Sequence, residues 1–115
     1  MEKELYSVTD VCGLTSITRK TLFYYDKTGL LKPTMRKGTQ NHKYYDLEQI
    51  KLLRRILRYR GAGLSIAEVK VMLTASKDER LQILEKALAR LETEAIAKSG
   101  QIENVKTLIS ETKQE

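Results

Sequence analysis

The chain has 115 residues, of which 41% are hydrophobic, and a formal net charge of +6 at pH 7. This length allows one small domain with an appendage, and no apolar run approaches the roughly 20 residues that a membrane-spanning helix needs. From the charged start Met1-Glu2-Lys3-Glu4 we expect no signal peptide and a cytoplasmic protein.

Residue types that serve catalysis or metal binding are scarce. Cys12 is the only cysteine and His42 the only histidine, so the chain can form neither an internal disulfide nor a multi-thiolate metal site. The sequence also lacks a glycine-rich phosphate loop and paired carboxylates in a plausible cleft. We therefore expect no enzymatic activity, no metal and no cofactor. Cys12 fits a buried position, and His42 fits a surface loop.

Positive charge is concentrated in the amino-terminal two thirds of the chain. Residues 1–75 contain 14 Lys and Arg against 7 Asp and Glu, whereas residues 76–115 contain 7 against 8. The excess is greatest between Arg19 and Arg60, with 12 basic and 3 acidic residues. This asymmetry predicts a polyanion-binding domain over residues 1–75 and a separate structural part over residues 76–115.

The first two predicted helices form a pair. One covers Leu5–Leu14, with Ser7 as its cap and Asp10 placed to complete a capping box. A tight turn over residues 13–16 leads to a second helix over about Arg19–Lys27. Two short helices joined in this way are typical of a helix-turn-helix, whose second helix enters the major groove of DNA. Such pairs also occur in proteins that do not bind DNA.

The second helix has a basic amino end. Thr18 is its predicted cap, and Arg19 and Lys20 follow. The helix dipole favours anions at this end, so cations here make sense if a phosphate is to bind. The alternative is a merely solvated basic face. Helical periodicity places Leu22 and Tyr25 in the core.

A small wing is predicted after the second helix. Pro33 ends any helix, and the polar, turn-prone residues 34–41 precede the strand-like His42–Tyr45. We expect two short strands around a loop near Gly38, with Arg36, Lys37 and Lys43 projecting toward the phosphates beside the groove. The alternative is a solvated turn.

Two further helices follow the wing. Asp46 caps the third helix, with Gln49 placed to reciprocate, and the helix ends at residues 61–63. Residues 65–68, Ser-Ile-Ala-Glu, form a capping box that opens the fourth helix.

The last predicted helix is the longest. It covers about Asp78–Lys113, would be roughly 50 Å long at about 1.5 Å per residue, and carries apolar residues at alternating spacings of three and four. Ala95 and Lys98 continue this spacing between Leu91 and Ile102, with Lys98 as its weakest position. We call the seven large apolar residues the heptad stripe: Leu81, Leu84, Leu88, Leu91, Ile102, Val105 and Ile109. So long a stripe predicts a partner helix from a second copy of the protein. Folding back into a hairpin at Ser99-Gly100 is the alternative.

Several ordered motifs resemble one family. They are TLFYYD over residues 21–26 with GLLKP over residues 29–33, then KYYD over residues 43–46 and GLSIAEV over residues 63–69. Together they resemble the MerR-type bacterial transcription regulators, the family named after the mercury-resistance regulator. The resemblance covers Tyr6 to about Leu73 and continues more loosely into the last helix.

The resemblance implies a mainly α fold: a winged helix-turn-helix DNA-binding domain, two further helices and a long carboxy-terminal dimerisation helix in an antiparallel coiled coil. It also implies a homodimer that binds a pseudo-palindromic promoter operator and distorts the DNA for RNA polymerase. The DNA-contact candidates carried over by motif position are Thr18, Arg19, Lys20, Phe23, Tyr24, Lys37 and Lys43. Tyr45 belongs with the core residues.

Two departures from the family pattern stand out. Phe23 occupies a position where the family motif usually has arginine, and its ring could contact a thymine methyl group or a sugar. No cysteine follows in the last helix, which argues against a thiolate metal sensor or an iron–sulfur sensor. The sequence fits a short family member or a truncated one.

The predicted function is therefore a homodimeric, sequence-specific transcriptional regulator. Two alternatives are a winged-helix protein that bends DNA in recombination and a coiled-coil interaction protein with an incidentally basic head.

Overall fold

The computed structural model describes residues 4–115 and confirms the mainly α fold with a small wing. It divides into two compact units, Met1–Val71 and Met72–Glu115, whereas the predicted domain boundary lay between residues 75 and 76. The elements are β1 (Tyr6–Ser7), α1 (Val8–Thr15), α2 (Arg19–Thr28), β2 (Met35–Lys37), β3 (His42–Tyr45), α3 (Leu47–Gly61), α4 (Ile66–Met72) and α5 (Lys77–Lys113).

The helix pair is present with shifted boundaries. Ser7 and Asp10 form the predicted capping box, but α1 begins only at Val8 because Tyr6 and Ser7 pair with β3. The predicted turn over residues 13–16 is wrong in its first part, since α1 continues to Thr15. The chain reverses at Ser16, whose φ of 62° is left-handed, and its N–H donates to the Cys12 carbonyl. The second helix, α2, matches its prediction to within one residue at its end.

Three short strands form one antiparallel sheet in the order β1-β3-β2. The wing is the hairpin of β2 and β3, in which Arg36 lies opposite Lys43. Its turn covers residues 38–41, where Gly38 and Asn41 have φ of 80° and 52°. Side chains directly opposite each other in a sheet share a face, so Arg36 and Lys43 point the same way.

The core of the amino-terminal unit lies between the helices and the sheet. Leu22 and Tyr45 are fully buried and Tyr25 is 4% exposed, which confirms all three core predictions. Cys12 is half-buried, less enclosed than expected. The other buried apolar side chains in this unit are Val11, Ile17, Leu30, Leu31, Ile50, Leu53, Ile56, Leu64 and Val69.

The caps of α3 and α4 confirm the predicted starts of these helices. Asp46 accepts from the Gln49 N–H at 3.0 Å, and Ser65 and Glu68 exchange the two hydrogen bonds of a capping box. The predicted reciprocal bond from Gln49 is wrong: its amide donates to the Lys32 carbonyl instead. The Asp46 N–H is already bonded to the Thr34 hydroxyl at 3.0 Å, so it does not need that partner.

The second unit contains one uninterrupted helix. The helix α5 has 37 residues, about 55 Å at roughly 1.5 Å per residue, and Ser76 caps it. It runs through Gly100, so the hairpin alternative is wrong. A helical glycine costs only about 1 kcal/mol relative to alanine, too little to force a break. All seven residues of the heptad stripe are exposed, by 40% to 57%.

No helix within residues 4–115 is both long and apolar enough to cross a membrane.

Candidate nucleic-acid interface

The amino end of α2 is an exposed, positively charged surface. Thr18 caps the helix by accepting from the Thr21 N–H at 3.1 Å. Arg19 and Lys20 follow at once, and both are exposed. The unpaired N–H groups of a first helical turn carry partial positive charge, which adds to that of the two side chains. This end of α2 is therefore suited to bind an anion.

The Arg19 side chain is oriented by the neighbouring helix. Its guanidinium donates a hydrogen bond to the Thr9 hydroxyl on α1. One of its five donors is used in this way, and the others remain able to bind a base edge or a phosphate. Tyr24, one turn after Lys20, is 51% exposed and carries a further hydroxyl on the same side of the helix.

The side of α2 that faces the wing carries a buried carboxylate. Asp26 is 5% exposed, although it lies within the most basic part of the chain. Arg36 donates two hydrogen bonds to its two oxygens, at 3.0 and 2.9 Å, and Lys43 binds Oδ2 at 2.8 Å. Lys32 lies 3.7 Å from Oδ1 and donates to the Asp26 carbonyl at 3.3 Å.

These contacts decide the ionisation of Asp26. Hydrogen bonds from Arg36, assisted by Lys43, lower the pKa of the Asp26 carboxyl from 3.8 to about 2, although burial opposes this. Paired Arg–carboxylate hydrogen bonds are among the strongest in proteins because both partners are charged and their geometry matches. Asp26 therefore stays ionised at physiological pH and joins α2 to both strands of the wing.

Phe23 lies beside the same ammonium group. The Lys43 Nζ is 4.2 Å from the centre of the Phe23 ring, a cation–π distance. Phe23 is 42% exposed, so much of the ring still faces solvent. At the other end of the wing, the Lys37 Nζ is 5.5 Å from the centre of the Tyr44 ring, and Lys37 is exposed.

A cleft of about 480 Å³ separates the exposed side of α2 from the wing. Its walls are the start of α1, the amino end of α2 and the strand β3 with its turn. The residues around it are Ser7, Val8, Thr9, Arg19, Phe23, Gln40, Asn41, His42, Lys43 and Tyr44. Polar atoms and aromatic rings both line this cleft, but acidic side chains do not.

The structure places most predicted DNA contacts at this surface. Thr18, Arg19, Lys20, Tyr24 and Lys37 are exposed, and the DNA contacts themselves stay predictions. Lys43 differs, because its side chain is 20% exposed and paired with Asp26. Arg36 also turns to Asp26 rather than projecting outward.

Asp26 was missed by the sequence reasoning as a functional residue. The available signal was an acidic residue one position after the core residue Tyr25, in a segment otherwise full of cations. A carboxylate at a buried helix position needs a cationic partner, and Arg36 and Lys43 were the available ones.

One buried hydroxyl group in the core below the wing lacks a hydrogen-bond partner among the described residues. Tyr45 is fully buried, and its hydroxyl has no hydrogen-bond partner within residues 4–115. Burial raises the pKa of this phenol to about 12, so it stays neutral. Within the same residues, no three His, Cys, Asp or Glu side chains are grouped as a metal site.

Comparison with known proteins finds similarity in sequence and in fold. Residues 6–76 match the family model described as MerR HTH family regulatory protein. The chain is 38% identical over 68 residues to the HTH-type transcriptional activator TipA of Streptomyces coelicolor, an alignment that covers 59% of this chain and 26% of TipA. The chain thus spans about a quarter of the length of that relative.

Two solved structures share the fold. One is EcmrR, from a structure described as the EcmrR–DNA complex in EcmrR-RPo. It has a TM-score of 0.84 and 22% sequence identity, and the match covers 96% of this chain and 40% of EcmrR. The other is MtaN, the amino-terminal part of a Bacillus subtilis multidrug transporter activator. It has a TM-score of 0.75 and 22% identity over 90% of this chain and 97% of MtaN.

Proposed function

Because this chain belongs to the MerR family of helix-turn-helix regulatory proteins, we propose that it is a homodimeric transcriptional regulator, not an enzyme, that binds double-stranded promoter DNA. The observation that carries the proposal is the amino end of α2, where Arg19 and Lys20 stand exposed beside a wing that is tied to the same helix through Asp26. EcmrR, which shares this fold, is seen in a complex with DNA.

In the proposed complex, α2 enters the major groove with its amino end toward the bases. Arg19, already oriented by Thr9, is the candidate for a guanine edge, because arginine matches the two acceptors of guanine. Lys20 and the Tyr24 hydroxyl, on one side of α2, bind phosphates at the edge of the groove, and Lys37 binds the adjacent backbone. These contacts explain why the positive charge is concentrated between Arg19 and Arg60.

The heptad stripe supports dimerisation. Seven large apolar residues along one side of α5 are at least 40% exposed in a single copy. Exposed apolar surface of this extent marks an interaction site, and a stripe spaced by three and four residues fits another helix. An antiparallel pair of α5 helices would join two copies of α2 in one symmetric dimer, so the DNA site would be an inverted repeat.

Promoter distortion and RNA polymerase are the further parts of the proposal. TipA is named a transcriptional activator, and the family resemblance implies a promoter operator that is distorted for RNA polymerase. A dimer that binds two half-sites at once can bend or untwist the DNA between them, because extra contacts offset the deformation energy.

Selection of bound duplexes from random-sequence DNA tests the proposal. We expect an inverted repeat, bound with an affinity that falls steeply as salt rises, because each neutralised phosphate releases counterions. A basic head without specific recognition would instead recover no common sequence. An enriched single half-site, or binding that does not depend on salt, would contradict the homodimeric DNA-binding mechanism.

A further inference from the structure

The Lys43 side chain is held from two sides by one helix. Its ammonium lies 2.8 Å from Asp26 Oδ2 and 4.2 Å from the centre of the Phe23 ring. Phe23 and Asp26 are three residues apart on α2, so they share one side of that helix. Lys43 belongs to β3, the central strand of the sheet, and only 20% of its side chain is exposed.

The two contacts have different physical characters. The Asp26 carboxylate supplies a negative charge. The Phe23 ring shields one side of the ammonium from water and attracts the ammonium through the negative face of its π system. A cation–π contact is stronger where the cation is partly desolvated, as Lys43 is here. Because Phe23 keeps 42% of its surface exposed, its substitution leaves the buried core intact.

We propose that Phe23 is a positioning residue, which holds Lys43 against Asp26 and so fixes the wing relative to the DNA-reading helix, and that Lys43 is an internal tie rather than a phosphate contact. The part of this inference that concerns DNA rests on the proposed function. The part that concerns the wing does not.

The alternative role for Lys43 conflicts with the environment of Asp26. If the ammonium moved to a DNA phosphate, a carboxylate that is only 5% exposed would lose its 2.8 Å partner. Removing one partner from a buried charge is costly, whereas an exposed lysine gives up only water. Lys37, which is exposed on the same wing, meets a phosphate without that cost.

The first test uses the free protein without DNA. Amide hydrogen exchange of β2 and β3 is compared between the wild type, Phe23→Leu and Phe23→Tyr. Leucine keeps apolar bulk but removes the aromatic face, and we expect exchange of the wing amides to accelerate about two- to fivefold. Tyrosine keeps that face and should restore wild-type exchange. Equal exchange in all three proteins would overturn the positioning role.

The second test uses a duplex that the wild type recovers from random-sequence DNA. Affinity is measured against salt concentration for Lys43→Met and for Lys37→Gln as the matched wing variant. The plot of log affinity against log salt concentration has a negative slope. We expect Lys37→Gln to make that slope shallower by about 0.9, the value for one phosphate contact. Lys43→Met should weaken binding while keeping the wild-type slope.

The outcomes separate this inference from the proposed function. A slope for Lys43→Met that falls as it does for Lys37→Gln would make Lys43 a phosphate contact and overturn the inference. A changed base preference in Phe23→Leu with unaltered wing exchange would make Phe23 a base contact, which also overturns it. If the wild type selects no duplex, the proposed function fails, and the exchange experiment alone still decides the role of Phe23.

Discussion

Arg36 on the wing donates two hydrogen bonds to Asp26 on α2, at 3.0 and 2.9 Å, across ten residues of sequence. Both oxygens of the carboxylate are thereby occupied, and Lys43 shares one of them. Because Arg36 and Lys43 lie opposite each other in the hairpin, one carboxylate holds both strands of the wing.

Asp26→Asn should destabilise the fold. The neutral amide leaves two cations without a counter-charge, and we expect a loss of about 2 kcal/mol of unfolding free energy, less than for a completely buried pair because Arg36 is partly exposed. Urea denaturation measures the loss. Glu48→Gln is the control, since its pair with Lys51 is exposed at both ends and should matter by less than about 0.5 kcal/mol. Equal losses in the two variants would contradict the anchoring role of Asp26.

The unfolding free energy should depend on pH through Asp26. The folded-state pKa of Asp26 is lowered from 3.8 to about 2, so its contribution is fully present above pH 3.8 and is lost as the pH falls toward 2. A shift of this size corresponds to about 2 kcal/mol at most. The difference in unfolding free energy between the wild type and Asp26→Asn should therefore shrink as pH decreases through this range. A constant difference would show that Asp26 titrates normally in the folded state.

Tyr45→Phe should be neutral or stabilising. The phenol oxygen is buried and has no hydrogen-bond partner among the described residues, so the folded state bears its desolvation cost. Removing the hydroxyl from a ring that stays in place is expected to raise the unfolding free energy by up to about 1 kcal/mol. Thermal and urea unfolding provide the measurement. A clear loss of stability would reveal an unseen partner for the hydroxyl, such as an ordered water.

Alanine at two glycines should have opposite effects. Gly38 in the wing turn has φ +80°, so alanine there should cost about 1 kcal/mol through backbone strain, although an added Cβ would approach no atom closer than 4.0 Å. Gly13 lies within α1 with open space around it, and alanine should stabilise the helix by up to about 1 kcal/mol. Unfolding measurements on both variants test the pair. A stable Gly38→Ala protein would mean that the turn can change its conformation.

Two carboxylates in the heptad stripe should prevent dimerisation. Leu88→Asp together with Leu91→Asp would place charge where a partner helix must bury apolar surface, and sedimentation equilibrium should find a monomer that binds its DNA weakly. The matched control adds two carboxylates on the opposite side of α5, with Lys86→Asp and Thr93→Asp, and should remain dimeric. A fully active monomer would refute the proposed role of the stripe.

Local features of the fold could be predicted well from the sequence. The caps at Ser7, Thr18, Asp46 and Ser65 each depend on residues within the next turn, so their chemistry is readable locally. The heptad spacing likewise predicted α5 to within one residue at its start and at its end. Gly100 does not break the helix, as the hairpin alternative required, because one helical glycine costs little beside the many good helix formers around it.

Features that depend on distant residues could not be predicted. The strand β1 has two residues and exists because Tyr6 pairs with Tyr45, far along the chain, so its own sequence carries no strand period. Gln49 was expected to donate to the backbone of its own helix cap. Its amide instead donates to the carbonyl of Lys32, which is distant in sequence but adjacent in the fold. The contacts of Lys43 with Asp26 and Phe23 are of the same kind, since they require the wing to lie against α2.

The sharing of Asp26 between α2 and the wing limits how this protein can be re-engineered. On the proposed function, a new DNA specificity could be sought by exchanging α2 alone. If a foreign helix without the aspartate replaced α2, Arg36 and Lys43 would lose the carboxylate that they bind. If α2 were moved into another protein without these two cations, Asp26 would be a buried carboxylate with no partner. The transferable part of this domain is therefore α2 with both strands of its wing.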